Sequence, residues 1–173
     1  IAGSDSSGGA GIQADIKTIT AHRLYAETAI TAITAQNTLG VTAVQNISPD
    51  IVAAQIDAVF DDIRPSAVKI GMVSSAEIIE VIADRLSARN ATNVVVDPVM
   101  VATSGARLIA EDAAEALTRR LFPLATVITP NIPEAMALLD YEVDSERTQQ
   151  NAAMLLTRRF GCASLVKGGH LVN

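Results

Sequence analysis

Apolar and polar residues alternate along the chain with two periods, one typical of helices and one typical of short strands. Near the start, Ile12, Ile16 and Ile19 recur at the spacing of one buried helix face. The segment Tyr25–Ala35 that follows is rich in β-branched residues and alternates in polarity, which predicts a strand. The next helix is predicted to start at Ser48–Asp50, where a capping residue, a proline at the first helical position and an acid occur together.

The alternation of strand and helix patterns continues along the rest of the chain. Further strands are predicted at Ile1-Ala2, Ala67–Ile70, Asn93–Val96, Ala125–Ile128 and Ala163–Val166. Helical patterns occur after Ser75 and over Glu111–Leu121, Pro133–Leu139 and Ser145–Phe160, and the composition of Ala102–Ala106 predicts a mobile loop. Short apolar strands that alternate with helices predict an α/β fold, in which helices cover both faces of a mostly parallel sheet.

The first fifteen residues, IAGSDSSGGAGIQAD, combine an apolar lead with a loop of glycine and serine. Glycines let a backbone approach another group closely, so this loop predicts one wall of a ligand site. The alternative is a flexible surface loop. Asp15 follows at the margin of the buried helix face, beside Ile19, and a carboxylate there must be paired or must face a cavity.

Polar or glycine-containing segments follow every predicted strand. Parallel strands place their carboxyl ends at one edge of the sheet, and open α/β sheets bind ligands outside that edge. These segments therefore predict a ligand site. The candidate residues in them are Gly3, Asp5, Gln36, Met72, Asp97, Val99, Asn131, Glu134 and Lys167.

Several candidates also have an ordinary structural interpretation. Asp5, Asp15 and Glu134 are acids near helix starts, where the helix dipole favours negative charge. Gln36 suits a turn, and Met72 suits a gap in a hydrophobic core. The residue types alone leave these alternatives open.

Composition narrows the class of partner. The chain has 173 residues, a net charge of −6, 3% aromatic residues and no tryptophan, whereas nucleic-acid binding favours a basic patch with stacking aromatic residues. The best apolar run, Thr28–Ala35, is too short to span a bilayer. The single cysteine, Cys162, excludes an intramolecular disulfide and suits a reducing cytoplasm. We therefore expect a small-molecule ligand, no nucleic acid and no membrane.

The sequence matches the dinucleotide-binding fingerprint, but the position of the match relative to the predicted strands does not fit that motif. Gly9, Gly11 and Ala14 match its G-x-G-x-x-A form, but Ser4–Gly8 intervene where the first glycine of the motif should directly follow the strand. Gln36 also stands where that motif needs an acid to hold the ribose. The sequence contains neither a G-x-x-x-x-G-K-[ST] phosphate loop nor a G-x-S-x-G nucleophile elbow, so NAD binding and serine hydrolysis are disfavoured.

Six segments of the chain carry a resemblance when they are taken together. They are Ile1–Lys17 (IAGSDSSGGAGIQADIK), Thr34–Gly40 (TAQNTLG), Lys69–Met72 (KIGM), Val94–Met100 (VVVDPVM), Ile128–Glu134 (ITPNIPE) and Leu165–His170 (LVKGGH). In this order they resemble the hydroxymethylpyrimidine/phosphomethylpyrimidine kinases of thiamine biosynthesis, which belong to the ribokinase-like superfamily. The resemblance implies a three-layer α/β sandwich with a mostly parallel central sheet.

The resemblance also implies an activity and a set of site residues. The activity would be transfer of a phosphoryl group from magnesium ATP to 4-amino-5-hydroxymethyl-2-methylpyrimidine and then to its monophosphate. The pyrimidine pocket would comprise Gly3, Asp5, Asp15, Gln36, Met72 and Val99. Asn131 and Lys167 would bind the nucleotide, and Asp97 and Glu134 would hold Mg²⁺. A homodimer in the cytoplasm is expected by the same analogy.

One feature of that family is missing from the sequence. The family's Gly-Thr-Gly-Cys motif, whose cysteine is placed as the base for the hydroxyl group, does not occur before Asn173. Cys162 is no substitute, because it precedes the last predicted strand, so the catalytic residue is left unassigned. We expect one domain over residues 1–173, truncated at both ends and lacking the C-terminal part of the fold. A pyridoxal kinase of the same superfamily and a non-catalytic pyrimidine-binding domain stay open as alternatives.

Overall fold

The computed structural model describes residues 1–100 and 109–168. The strands are β1 (Ala2–Asp5), β2 (Ile30–Asn37), β3 (Gly40–Asn46), β4 (Val68–Ile70), β5 (Val94–Val96), β6 (Val127–Ile128) and β7 (Ala163–Ser164). The helices are α1 (Gly11–Ala21), α2 (Pro49–Asp62), α3 (Ala76–Ala88), α4 (Glu111–Ala116), α5 (Ile132–Leu139) and α6 (Glu146–Phe160). The loop predicted at Ala102–Ala106 and the last two residues of the Leu165–His170 segment lie outside the described residues.

The strands form two hydrogen-bonded groups that meet edge to edge. One group has the order β1-β2-β3 and the other β4-β5-β6-β7. The N–H of Gly71 donates to the carbonyl of Ile1 over 2.9 Å, and the nitrogen of Ile1 donates to the carbonyl of Lys69 over 2.8 Å, which joins β1 to β4. Within the two groups all neighbours are parallel except β2 and β3. The carboxyl ends of six strands therefore lie at one edge of the sheet.

Alternation of side chains in β4 places helices on both faces of the sheet. Val68 and Ile70 belong to a buried core shared with α2 and α3. Lys69 lies between them, so it points to the opposite face, where its ammonium pairs with Asp15 of α1. Helix α1 is therefore on the other side of the sheet from α2 and α3, which gives three layers. A mostly parallel sheet between helical layers is the architecture that the sequence predicts.

The strands differ in places from those that the sequence predicts. The strand predicted over Tyr25–Ala35 begins only at Ile30, and Tyr25 itself is 76% exposed. The sequence does not predict β3, which forms an antiparallel hairpin with β2. All seven residues of β3 are exposed, so no buried face imposes a period of two on its sequence.

The buried face of α1 is narrower than its isoleucine spacing predicts. Ile12 is 7% exposed, but Ile16 is 38% exposed and Ile19 is only partly buried. Ile16 and Ile19 instead line a cavity of about 490 Å³, together with Tyr25 and Lys69. Spacing identifies the apolar stripe, but it does not state how much of that stripe another element covers. Among the described helices, none has the length and apolar character needed to cross a membrane.

Candidate active site

Asp5, the last residue of β1, organises the loop that follows. Its carboxylate accepts hydrogen bonds from the backbone N–H groups of Ser7, Gly9 and Ala10 over 2.8, 3.0 and 2.8 Å, and from the hydroxyl of Ser7 over 2.8 Å. Burial alone would raise the pKa of the Asp5 carboxyl, but these hydrogen bonds outweigh burial and hold the pKa below its ordinary value of 3.8. These hydrogen bonds therefore hold the loop around the carboxylate of Asp5.

Gln13, near the start of α1, ties the helix to β1. Its Oε1 accepts from the N–H of Asp5 over 2.8 Å, and its Nε2 donates to Oγ of Ser4 over 2.7 Å. Gly11 permits this close approach, because it has φ of 56° and any Cβ there would overlap the carbonyl oxygen of Gly3. The glycine at position 11 is therefore required for α1 to begin against β1.

Gln36, at the end of β2, is fixed by the opening loop. Its carbonyl accepts from the hydroxyl of Ser6 over 2.7 Å, and its N–H donates to Oγ of Ser6 over 2.8 Å. The pairing of β2 with β3 shifts register between Ala35 and Gln36, an irregularity that re-aims side chains. The side chain of Gln36 is half-buried, and its Oε1 lies 3.2 Å from Oγ1 of Thr34.

Gly3 and Met72 are in close contact across β1 and β4. A Cβ on Gly3 would lie 2.7 Å from the terminal methyl group of Met72. The backbone carbonyl of Met72 accepts from the hydroxyl of Thr31 over 3.0 Å, which links the segment after β4 to β2. The absence of a side chain on Gly3 thus leaves room for a flexible apolar group at the edge of the sheet.

Val99, in the segment after β5, has a strained backbone. Its φ is 46°, in the left-handed region that β-branched residues rarely adopt. Two hydrogen bonds of 2.9 Å fix the residues on either side, from the N–H of Asp97 to the carbonyl of Ile70 and from the N–H of Met100 to Oε1 of Glu134. Strain held by such anchors is common at ligand sites.

Asp97 and Lys167 form an ion pair across the carboxyl edge of the sheet. Nζ of Lys167 lies 2.7 Å from Oδ1 of Asp97, and the two side chains are 40% and 25% exposed, respectively. The backbone of Lys167 forms a parallel bridge with Asn131, and its N–H donates to the carbonyl of Pro130 over 2.8 Å. The segments that follow β5, β6 and β7 therefore converge on this pair.

Glu134 is 1% exposed and braces the start of α5. Its Oε2 accepts from the N–H of Asn131, and its Oε1 accepts from the N–H of Met100, both over 2.9 Å. Oδ1 of Asn131 accepts in return from the N–H of Glu134 over 2.9 Å, which completes a capping box. Glu134 thereby connects the turn after β6 to the segment after β5.

Asp15 pairs with Lys69 on the sheet face covered by α1. Its two oxygens lie 2.9 and 3.0 Å from Nζ of Lys69. Both residues line the 490 Å³ cavity, whose lining does not include Gly3, Gln36 or Met72. The carboxylate is thus both paired and beside a cavity, the two conditions expected for a charge at this position.

The whole chain matches one known family. The family model described as phosphomethylpyrimidine kinase matches residues 5–173. The chain belongs to this family. It is 55% identical over 174 residues to the hydroxymethylpyrimidine/phosphomethylpyrimidine kinase of Rhizobium meliloti (strain 1021), covering 99% of this chain and 64% of the relative. The chain therefore spans less than two thirds of the length of that relative.

Solved structures of related kinases have the same fold. The crystal structure of phosphomethylpyrimidine kinase from Clostridium difficile 630 superimposes with a TM-score of 0.92 at 48% identity, covering 99% of this chain and 74% of that one. An ADP complex of Bacillus subtilis pyridoxal kinase gives a TM-score of 0.87 at 38% identity, covering 98% and 64%. The ribokinase-like α/β class expected from the sequence is confirmed.

Four residues that organise this member of the phosphomethylpyrimidine kinase family are not singled out by its sequence: Ser6, Gln13, Thr34 and Lys69. A period of two in β2 places Thr34 and Gln36 on one face, so that pair could have been inferred. Lys69 and Asp15 are 54 positions apart, and no local pattern joins them.

The charged groups at the carboxyl edge are of the types that bind phosphate and Mg²⁺ in proteins. Asp97 is a partly exposed carboxylate, and Lys167 beside it is a point charge suited to phosphate. Mg²⁺ commonly takes only one or two carboxylates and completes its coordination with phosphate oxygens and water. In the described part of the chain no three His, Cys, Asp or Glu side chains lie together as a metal cluster.

Proposed function

We propose that the chain acts as an ATP-dependent kinase on 4-amino-5-hydroxymethyl-2-methylpyrimidine and on its monophosphate, producing the diphosphate for thiamine biosynthesis. One observation carries the proposal. Gln36 and the Asp97–Lys167 pair lie at the same edge of one sheet, in a chain 55% identical to the Rhizobium meliloti kinase. Acceptor and phosphoryl donor would therefore meet where six strands end.

On the acceptor side, Gly3, Met72 and Val99 would contact the apolar faces of the pyrimidine ring. Gln36 can both donate and accept hydrogen bonds, so it would bind the polar edge of the ring. Asp5 would contribute by holding the loop in shape, since its carboxylate is engaged by that loop. Asp15 stays a proposed member of the pocket, and its pairing with Lys69 makes that proposal testable.

On the donor side, Lys167 and Asn131 would bind the nucleotide phosphates. Asp97 and Glu134 would hold Mg²⁺, directly or through water. The oxygens of Glu134 also accept backbone N–H groups of Met100 and Asn131, so for Glu134 we propose contact through water. The bound ion supplies charge neutralisation for the transferred phosphoryl group. The chain's own residues align the acceptor hydroxyl and the phosphate, which is most of what phosphoryl transfer requires.

The general base for the acceptor hydroxyl is left unassigned. Cys162 is buried, and burial raises the pKa of its thiol, so it would be neutral at physiological pH and is not proposed for that role. Its free thiol supports a location in the cytoplasm. We further propose a homodimer, supported by the exposed apolar side chains of the β2–β3 hairpin at Ile33, Leu39, Val41 and Val44.

The test compares acceptors with the purified chain. Calorimetry with the hydroxymethylpyrimidine, its monophosphate and pyridoxal gives affinities, and chromatography of mixtures with magnesium ATP detects transfer. Preferred binding and phosphorylation of the pyrimidines supports the proposal. Preference for pyridoxal would support the alternative that the likeness to Bacillus subtilis pyridoxal kinase favours. Pyrimidine binding without transfer would support a non-catalytic pyrimidine-binding domain.

Gln36→Ala gives a sharper test of the pocket. The variant loses the only amide proposed for the ring edge, so we expect pyrimidine affinity to fall by about tenfold or more while magnesium ATP affinity changes little. Calorimetric titrations with each compound measure both effects. Equal losses for the two compounds would place Gln36 outside the acceptor pocket.

A further inference from the structure

We propose that Thr34 is a positioning residue that fixes the orientation of the Gln36 amide and so sets which ring edge the pocket accepts. The inference rests on the proposed function, because it concerns how that pyrimidine site distinguishes an amino group from a carbonyl group. Thr34 is 5% exposed and lies two positions before Gln36 in β2.

The argument begins with the hydroxyl of Thr34, which has two polar neighbours. Its Oγ1 lies 2.9 Å from the carbonyl oxygen of Ser4 and 3.2 Å from Oε1 of Gln36. A hydroxyl carries one proton and can donate only one hydrogen bond. The Ser4 carbonyl can only accept, and it lies closer, so it takes the proton. With Oε1 of Gln36 at this position, two acceptor oxygens, Oε1 and Oγ1, would then face each other with no proton between them.

The amide of Gln36 can resolve this conflict and the Ser4 carbonyl cannot. A half-turn about its last side-chain bond places the NH₂ group of Gln36 at Oγ1 of Thr34, which still has free lone pairs. Both short contacts are then hydrogen bonds. The backbone of Gln36 cannot move away, because Ser6 holds its carbonyl and its N–H over 2.7 and 2.8 Å.

This orientation leaves a defined pair of groups for a bound ring. Gln36 presents its oxygen, as an acceptor, beside the second N–H of its amide, as a donor. A 4-aminopyrimidine offers the complement, an amino donor beside a ring nitrogen that accepts. The 4-oxo analogue, which carries a proton on that ring nitrogen, offers the reverse pattern, and reversed patterns of this kind reduce affinity strongly.

The experiment uses the Thr34→Val variant of the full chain. Calorimetry measures affinity for 4-amino-5-hydroxymethyl-2-methylpyrimidine and for its 4-oxo analogue. Valine frees the amide to turn, so we expect the ratio of the two affinities to fall by about tenfold relative to the wild type. Thr34→Ser keeps the hydroxyl and is expected to restore the ratio.

Thr31→Val provides a matched control for the structural role of Thr34. Thr31 is also buried in β2 and its hydroxyl also donates to a backbone carbonyl, that of Met72, so its loss should cost similar stability without changing the affinity ratio. An unchanged affinity ratio in Thr34→Val, or an equal fall of that ratio in Thr31→Val, would overturn the role of Thr34 and leave the proposed function standing. A wild-type chain that binds neither pyrimidine would overturn the proposed function and this inference with it.

Discussion

Asp5 ends β1 and Asp97 directly follows β5 at the same edge of the sheet, and their carboxylates are satisfied in different ways. Asp5 is 3% exposed and accepts hydrogen bonds from Ser7, Gly9 and Ala10, all within five positions of it. Asp97 is 25% exposed and pairs with Lys167, 70 positions away. The carboxylate of Asp5 is engaged by its own loop, whereas that of Asp97 is paired with a partly exposed lysine.

The difference indicates different parts in the site. A carboxylate bound by several backbone N–H groups shapes the chain, and breaking those bonds to bind a ligand would leave buried donors unpaired. A partly exposed Lys–Asp pair has little net stability to lose, so a phosphate and a metal ion can exchange partners with it. Four predictions test this contrast between Asp5 and Asp97.

The largest effect is expected from Asp5→Asn. One side of the asparagine amide becomes a donor that faces the N–H groups of Gly9 and Ala10, so the loop cannot keep its shape. We expect the thermal midpoint to fall by several degrees and pyrimidine affinity to fall by about a hundredfold or more. Thermal unfolding followed by circular dichroism, and calorimetry, measure the two losses.

The same variant tests the pH dependence of stability. Because the folded pKa of Asp5 is lowered, its contribution is present above the ordinary value of 3.8 and is lost as the pH falls through the lowered folded value. Asp5→Asn should therefore flatten the decline of stability of the wild type below about pH 5. Asp50→Asn removes the same charge from an exposed site at the start of α2 and should leave the decline unchanged. Identical pH profiles for the wild type and Asp5→Asn would contradict this assignment.

An intermediate effect is expected from Lys167→Met. Methionine keeps the length of the side chain and removes the charge, so phosphate loses its cation while the fold keeps the Asn131 bridge. Affinity for magnesium ATP should fall roughly ten- to a hundredfold, as for a lost charged hydrogen bond. Pyrimidine affinity, measured by the same calorimetry, should change little. A loss confined to the pyrimidine would reverse the assignment of this edge.

Most of the fold follows from local patterns in the sequence. Short valine runs such as Val94–Val96 and helix signals such as Ser48–Asp50 identify their elements, because buried strands and helix starts have few alternative sequences. The exposed strand β3 is not predicted, because Gly40–Asn46 has no buried face that would impose an alternating pattern on its sequence. The exposure of Ile16 is not predicted either, because the apolar pattern of α1 does not show which element packs against that face.

The candidate site is predictable as a location but not as a set of partners. Positions after strands identify Asp5, Gln36, Asp97 and Lys167, since parallel strands bring their ends together. The groups that satisfy each of them depend on loop conformation and on contacts between distant segments. Asp5 and Asp97 therefore carry the same sequence signal, and only the three-dimensional arrangement separates them.

The smallest effect is expected from Lys69→Met, the matched control for Lys167→Met. The pair of Lys69 with Asp15 resembles that of Lys167 with Asp97, with side chains 37% and 25% exposed and an N–O distance of 2.9 Å. It lies on the sheet face, not at the edge where strands end, so magnesium ATP affinity should stay within about twofold of the wild type. Urea unfolding should show a change of about 1 kcal/mol or less, as for other partly exposed ion pairs. A severalfold change in pyrimidine affinity would instead show that Asp15 is coupled to the acceptor pocket. A fall in magnesium ATP affinity as large as that of Lys167→Met would show that position at the carboxyl edge is not what distinguishes the two lysines.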